Sequence, residues 1–470
     1  MPQRLLRFVA PDREVRAGLE AIRAELEIPE GYPEAAQQEA EGPPRLPEAD
    51  LTDVAFITLD PAGSLDLDQA MHLERTPSGF LLRYAIADVA AFVTPGGALD
   101  KETRIRAVTL YAPDKRTPLH PFSLSEGNGS LLAGEDRPAV VWELAFDLDG
   151  EMKKALVRRA MVRSRAQLDY RSTQAGFDAG NPAEPLMALA ELGRLRIERE
   201  AARGGVSLPV PEQRVVPTDG GWRLEFREVP DVERWNAHLS LATGMAAGRM
   251  MAEAGVGVLR TLAPAPKSDV GRLRHAAKAL GVLWPAGLDY PGFIRSLDAA
   301  VPAEAAALAE ASSLFRGAGY QVIGPKQAAR PHAAVASLYA HVTAPLRRLV
   351  DRYAAETCLA IQAGTEPAEW VLHGMTGLPD IMARGVGRAS RYSTECLDLV
   401  EAAVLKDRVG EVFDGVVIDY DAATAVGRVQ LATPAVHARI KGAGLVEGTP
   451  ISTKLLEASI RDRLVLFTAA

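Results

Sequence analysis

Cysteine is nearly absent from this chain: Cys358 and Cys396 are the only two in 470 residues. Two isolated thiols exclude a disulfide framework and, with no CxxC pair, a thiolate metal knot. They fit a reducing compartment, so a cytoplasmic location is expected. Long apolar runs are missing too. No stretch reaches the roughly 18 uncharged apolar residues that a membrane span needs. The opening MPQRLLRFVAPDREV has no apolar core of signal-peptide length. A soluble, monomeric protein is expected, with no membrane partner. Nor is there a surplus of positive charge: 53 Lys and Arg stand against 61 Asp and Glu, a net −8. That counts against a surface coated for polyanions but leaves room for a locally basic channel. The eight histidines carry no ligand spacing. GxSxG, P-loop and Rossmann glycine patterns are all missing, so no nucleotide cofactor is expected.

What is present divides into three textures. Asp12 to Ile28 reads as an amphipathic helix with Val15, Leu19, Ile22 and Leu26 on one stripe. The following PEGYPEAAQQEAEGPPRLPEAD is acidic and rich in Pro and Gly, which suits a linker or a meandering arm. Residues 1–50 are therefore read as a helical segment plus linker. From 51 to 405, β-rich runs such as AFITL, FLLRYAIADVAAFV and AVVWELAFDLDG give way beyond Glu184 to alanine-rich helices, predicting one large α+β unit. From 408 to 470 short strands spaced by turns predict a five-stranded OB-type barrel. On it, Arg439, Lys441 and Lys454 are positioned to track a phosphate backbone, though a solvated face has the same composition.

The segment FITLDPAGSLDLDQAMHL carries the most chemistry. Asp60 ends a strand, and the turn Pro61-Ala62-Gly63-Ser64 returns the chain to Asp66 and Asp68. Three carboxylates on one loop repel each other unless a cation sits between them. Oxygen donors without His or Cys select a hard ion, Mg²⁺ or Mn²⁺. Aspartates in such a turn also cap backbone amides. Far downstream, HVTAPLRRLVDRYAAETCLAI predicts a helix with Thr343 as N-cap, Pro345 in the first turn, and Leu346, Leu349, Val350 and Tyr353 on its buried stripe. Arginine in a first turn opposes the helix dipole. It makes sense if Arg347 and Arg348 receive a phosphate. The alternative is an exposed Arg347–Asp351 pair at i,i+4.

These segments, with Ile86-Ala87-Asp88-Val89, LDKETRIRAVTLYAPDKRTPLHP and LSEGNGSLLAGEDRPAV between them, resemble in order the motifs of the RNase II/RNase R (RNB) family. The resemblance covers nearly all of the chain from residue 51 on. It implies an RNB catalytic domain followed by an OB-fold barrel. The implied activity is divalent-metal-dependent 3′→5′ hydrolysis of single-stranded RNA to nucleoside 5′-monophosphates. It assigns Asp60, Asp66 and Asp68 to catalysis and metal binding, and Arg347 to the charge at the scissile phosphate. Tyr111 takes the place of an aromatic that stacks on the 3′-terminal base. His341 and Arg348, inside the arginine motif, are candidate RNA contacts. Three departures stand out. Gln69 occupies the position of the family's fourth aspartate and is read as a neutral metal ligand. No aromatic stands near GVLRTLAPAPKSD, where a second clamping ring is expected. The family's N-terminal cold-shock-type barrels have no counterpart before residue 51. A catalytically impaired RNA-binding protein that keeps the channel and barrel is the alternative that Gln69 leaves open.

Overall fold

The computed structural model describes residues 10–208, 212–218, 221–227, 229–299, 301–324, 327–431 and 433–470. The first nine residues, read above for a signal-type run, lie outside them. Helix α1 (Asp12–Glu25) buries Val15, Leu19 and Ile22 completely, and Leu26 packs at the margin of the same core. The acidic stretch that follows is anchored at several points. It forms a short helix, α2 (Glu34–Glu41), whose Ala36 and Ala40 are fully buried. The Glu39 carboxylate accepts from the Thr94 and Leu99 amides at 2.7 and 2.9 Å. Tyr32 lies under the Arg106 guanidinium, 3.8 Å from ring centre to Cζ. The acidity of this stretch and its Pro and Gly content suggested a linker; two buried alanines, the Glu39 carboxylate and the Tyr32 ring are what dock it.

Five strands close into a barrel: β1 (Asp50–Asp60), β2 (Gln69–Thr76), β3 (Gly79–Ala87), β4 (Asp136–Phe146) and β5 (Met152–Asp169). Closure is made by parallel pairing of β1 with β5, from Asp50 opposite Met161 to Asp60 opposite Asp169. Strand β3 reads as a near-continuous apolar run because it lies between β2 and β4 and both its faces are covered. Trp142, Tyr84, Phe56, Phe80 and Leu82 are among the fully buried side chains.

Helices cover this barrel. Helix α3 (Glu184–Ala202) packs beside α4 (Asp231–Ala254). The small residues of α4 let another segment approach closely: a Cβ on Gly248 would stand 2.7 Å from the Tyr339 amide nitrogen. Helix α5 (Leu349–Gln362) packs against α4, and α6 (Leu378–Leu405) runs for 28 residues toward the tail. The tail is a second closed barrel of β6 (Val412–Asp421), β7 (Val426–Leu431), β8 (Val436–Lys441), β9 (Pro450–Ser459) and β10 (Leu464–Ala469), in the order β6-β7-β8-β10-β9. The α+β body with a five-stranded C-terminal barrel is the architecture expected from the patterning. Among the described residues, no helix is long and apolar enough to cross a membrane.

Candidate active site

Asp60 stands at the end of β1, and Gly63, at φ +80°, makes the turn that follows. The loop is stitched down from both sides. The Ser130 hydroxyl accepts from the Leu67 amide at 2.9 Å and donates to the Leu65 carbonyl at 2.6 Å. The Leu131 amide donates to the Leu67 carbonyl, and the Ala87 amide to the Asp68 carbonyl. This explains why the LSEGNGSLL segment belongs with an aspartate loop more than sixty residues away.

Asp68 is the junction of the two distant motifs. It is 5% exposed; Oδ1 accepts from the Leu346 amide at 2.8 Å and Oδ2 from Arg347 Nε at 3.2 Å. Burial pushes its pKa up to about 7, against the opposing pull of Arg347 and the Leu346 amide. Burial likewise raises Asp60 to about 6, with Arg347 opposing and Asp66 adding to the rise. Asp60 Oδ2 is buried and has no hydrogen-bond partner among the described residues. Asp66 is held by Arg116, which also grips Glu126. Gln69 opens β2 with its amide engaged at both ends: Nε2 donates to the Thr343 carbonyl at 2.6 Å, and Oε1 accepts from the buried Tyr84 hydroxyl.

The segment carrying Arg347 differs from the predicted helix start. The helix begins at Leu349, and Arg348 is its extended N-cap residue. Thr343 is no cap; its hydroxyl pairs with Ser240 at 2.9 Å. No side chain caps this helix; Asp351, in its first turn, instead ties down the preceding loop by accepting from the Ala344 amide at 2.7 Å. Asp351 is fully buried and binds Arg348 through two contacts of 2.9 and 2.8 Å, so the Arg347–Asp351 pairing is replaced by Arg348–Asp351. Arg347 thereby points at Asp68, with its side chain 45% exposed and, among the described residues, only Nε engaged.

The RNA contacts inferred from sequence separate into exposed and packed residues. Tyr111 is 52% exposed and pairs across a two-residue strand with Arg116, which puts it beside Asp66. His341 packs edge-on against Tyr320 and Tyr339, its Nδ1 2.8 Å from the Tyr320 hydroxyl, and burial holds it well below the usual histidine range. Arg348 is occupied by Asp351. Sequence spacing could not separate these two from the exposed contacts. Near GVLRTLAPAPKSD the structure sets Tyr320 opposite Arg260 on the neighbouring strand. Arg439, Lys441 and Lys454 are exposed on the tail barrel, where Lys441 and Lys454 both pair with Thr468 from either side. Arg116, Tyr84, Ser130 and the Thr343 carbonyl were not singled out in sequence. Arg116 shares a block with Tyr111, the one local hint available.

Among the described residues, no three His, Cys, Asp or Glu side chains converge as a ready-made metal cage. The donor chemistry nevertheless suits a hard divalent ion. The donors are oxygen only, one buried carboxylate oxygen is unpartnered, and two carboxyls are raised by burial in a way that a cation would reverse.

The RNB domain family matches residues 48–360, and the RNase II-type exonuclease C-terminal S1 domain matches residues 411–470. Ribonuclease R of Aquifex aeolicus is 26% identical over 439 residues, which cover 88% of this chain and 62% of that protein. The chain thus spans less than two thirds of that relative. Mycoplasma genitalium RNase R in complex with ribose methylated single-stranded RNA has a TM-score of 0.87 at 19% identity, covering 97% of this chain and 78% of that one. Yeast Ssd1, a pseudonuclease, has a TM-score of 0.74 at 14% identity, covering 95% and 57%.

Proposed function

Because this chain belongs to the RNB family, we propose that it is a 3′→5′ exoribonuclease hydrolysing single-stranded RNA to nucleoside 5′-monophosphates. The observation that carries the reading is the meeting of Asp68 with Arg347, beside a buried, unpartnered Asp60 oxygen. Asp60, Asp66 and Asp68, with Gln69 as a neutral fourth group, would hold Mg²⁺ or Mn²⁺. Such an ion, when bound, polarises phosphate oxygens and lowers the pKa of water. The chain's own side chains do the rest. Arg347 keeps its terminal N–H groups for the charge that develops on the phosphate. Asp68 orients that guanidinium, and the Leu346 amide fixes Asp68. Tyr111 offers an exposed ring to the terminal base, a contact every base can make. Arg439, Lys441 and Lys454 follow the backbone of incoming RNA. A monomeric, cytoplasmic enzyme completes the proposal.

A second reading has two specific observations in its favour. Gln69 is tied at both ends and Asp66 is paired with Arg116, as in a site that holds RNA without cutting it. Incubating 5′-labelled poly(A) with the protein and Mg²⁺ or Mn²⁺ decides between them. Shortening ladders that vanish in Asp68→Asn, with RNA binding kept, support the enzyme. Full-length RNA retained in a gel shift supports the binder.

A further inference from the structure

Positive charge collects at a second place, remote from the aspartate loop. The hairpin joining β4 to β5 lies at the opposite end of the barrel from Asp60, since β5 starts at Met152 and pairs with Asp60 only at its eighteenth residue, Asp169. Beside this hairpin, α3 presents Arg196 and Arg199, and Arg203 follows as its C-cap residue. Spacings of three and four place them on one face. Arg249 joins from α4. The four arginines line a cavity of about 340 Å³ whose one acidic wall residue is Glu151, with Met152 and Met245 supplying apolar surface. A second cavity of about 400 Å³ adjoins it, sharing Met152, Ala246 and Arg249 and adding Lys153, Lys154 and Glu253.

The charges on this wall are poorly matched. Arg196 is 3% exposed; Nη1 donates to the Gly150 carbonyl at 2.8 Å, while Nε is buried without a partner among the described residues. Arg199 donates to the Asp149 carbonyl at 2.9 Å and lies 3.8 Å from the Asp149 and Glu151 carboxylates. Arg203 donates to the Val335 carbonyl at 2.7 Å, with Glu200 near it. Arg249 is exposed. Burial, then Arg203, with Arg199 and Arg249 adding and Glu151 opposing, lowers Arg196 to about 10. Cations at a helix C-terminus gain from the dipole. That gain does not account for Arg249, which comes from another helix, and like charges at i,i+4 cost stability. In a protein of net charge −8, four guanidiniums against one carboxylate in the lining of a cavity form a receptor for a multiply charged anion.

We propose that this pocket binds a small molecule with two or more phosphate groups, of the nucleoside di- or triphosphate class, at a site separate from the aspartate loop. The cavity volume falls in the range of small-ligand sites. The methionines give a base an apolar, polarizable seat. A single-stranded RNA backbone would track exposed charge, whereas Arg196 is buried in the wall.

Calorimetric titration of the full chain with ATP and with inorganic pyrophosphate, in EDTA, tests the proposal. Wild type is compared with Arg196→Gln, Arg249→Glu and Asp68→Asn. The expected result is a saturable 1:1 isotherm, weakened about tenfold or more by either arginine change. Asp68→Asn should bind like wild type, and a saturating single-stranded oligonucleotide should not displace ATP. Three results would overturn it: no binding of either probe to wild type, unchanged affinity in Arg249→Glu, or displacement by the oligonucleotide, which would give the trough to RNA. Should Arg196→Gln misfold on thermal melting, Arg249→Glu at its exposed position still decides.

Discussion

Replacing Gln69 by aspartate restores the family's fourth carboxylate, and the structure sets both what it costs and what it gains. Aspartate has no N–H to give the Thr343 carbonyl, which Gln69 Nε2 reaches at 2.6 Å. It is also one methylene shorter, so the Tyr84 hydroxyl, on a residue 1% exposed, loses its acceptor as well. Each buried group left unpaired costs about 1–3 kcal/mol, giving a loss of about 2–6 kcal/mol for the metal-free protein. A new charge also enters a place where burial has already raised two neighbouring carboxyls. In return, a charged oxygen donor should tighten a hard divalent ion by about tenfold, or ~1.4 kcal/mol. Two measurements separate these effects. Thermal unfolding in EDTA should show a lower Tm for Gln69→Asp, and Mg²⁺ should recover more of it than in wild type. A Mg²⁺ titration of cleavage should show the midpoint lowered about tenfold. An unchanged Tm in EDTA would refute the bridging role of the amide. An unchanged midpoint would place residue 69 outside the metal's coordination.

Arg347→Ala should reduce turnover by roughly 10²–10³ with a smaller effect on RNA affinity, measured as single-turnover cleavage beside a gel shift. Asp351→Ala strands the Arg348 guanidinium and the Ala344 amide, so denaturant unfolding should show a loss of about 3–5 kcal/mol. Glu401 is 4% exposed, accepts from Gln213 and the His437 amide, and is raised by burial from 4.5 to about 8. Between those values the folded carboxyl keeps a proton that the unfolded chain has lost, so its contribution to stability falls as pH rises from 4.5 to 8. Glu401→Gln should flatten that decline, read as a smaller Tm difference between pH 5 and pH 8.

Local pattern was enough for much of this molecule. The α1 stripe, the alternating and continuous apolar strands, and the turn-spaced tail encode their own burial, because a period of 3.6 or 2 places side chains on one face before any tertiary contact forms. The aspartate loop was legible for the same reason: its carboxylates are close in sequence, and their repulsion is a local fact. The helical arm at Glu34–Glu41 was not, since its two buried alanines sit in an acidic stretch flanked by Pro and Gly that has the composition of a linker.

What only the tertiary structure decided is which charge meets which. Sequence put Arg347, Arg348 and Asp351 within five residues and left open whether the arginines receive a phosphate or Arg347 pairs with Asp351. Backbone geometry at Arg348, extended at φ −137° and ψ 125°, delays the helix and gives Asp351 to Arg348, freeing Arg347 for Asp68. Arg116 on Asp66, Gln69 between Tyr84 and Thr343, and four arginines around one cavity depend likewise on barrel register and helix packing. A side chain's neighbours in the chain determine its face; its electrostatic partner is set by segments that closure of the barrel brings together from hundreds of residues away.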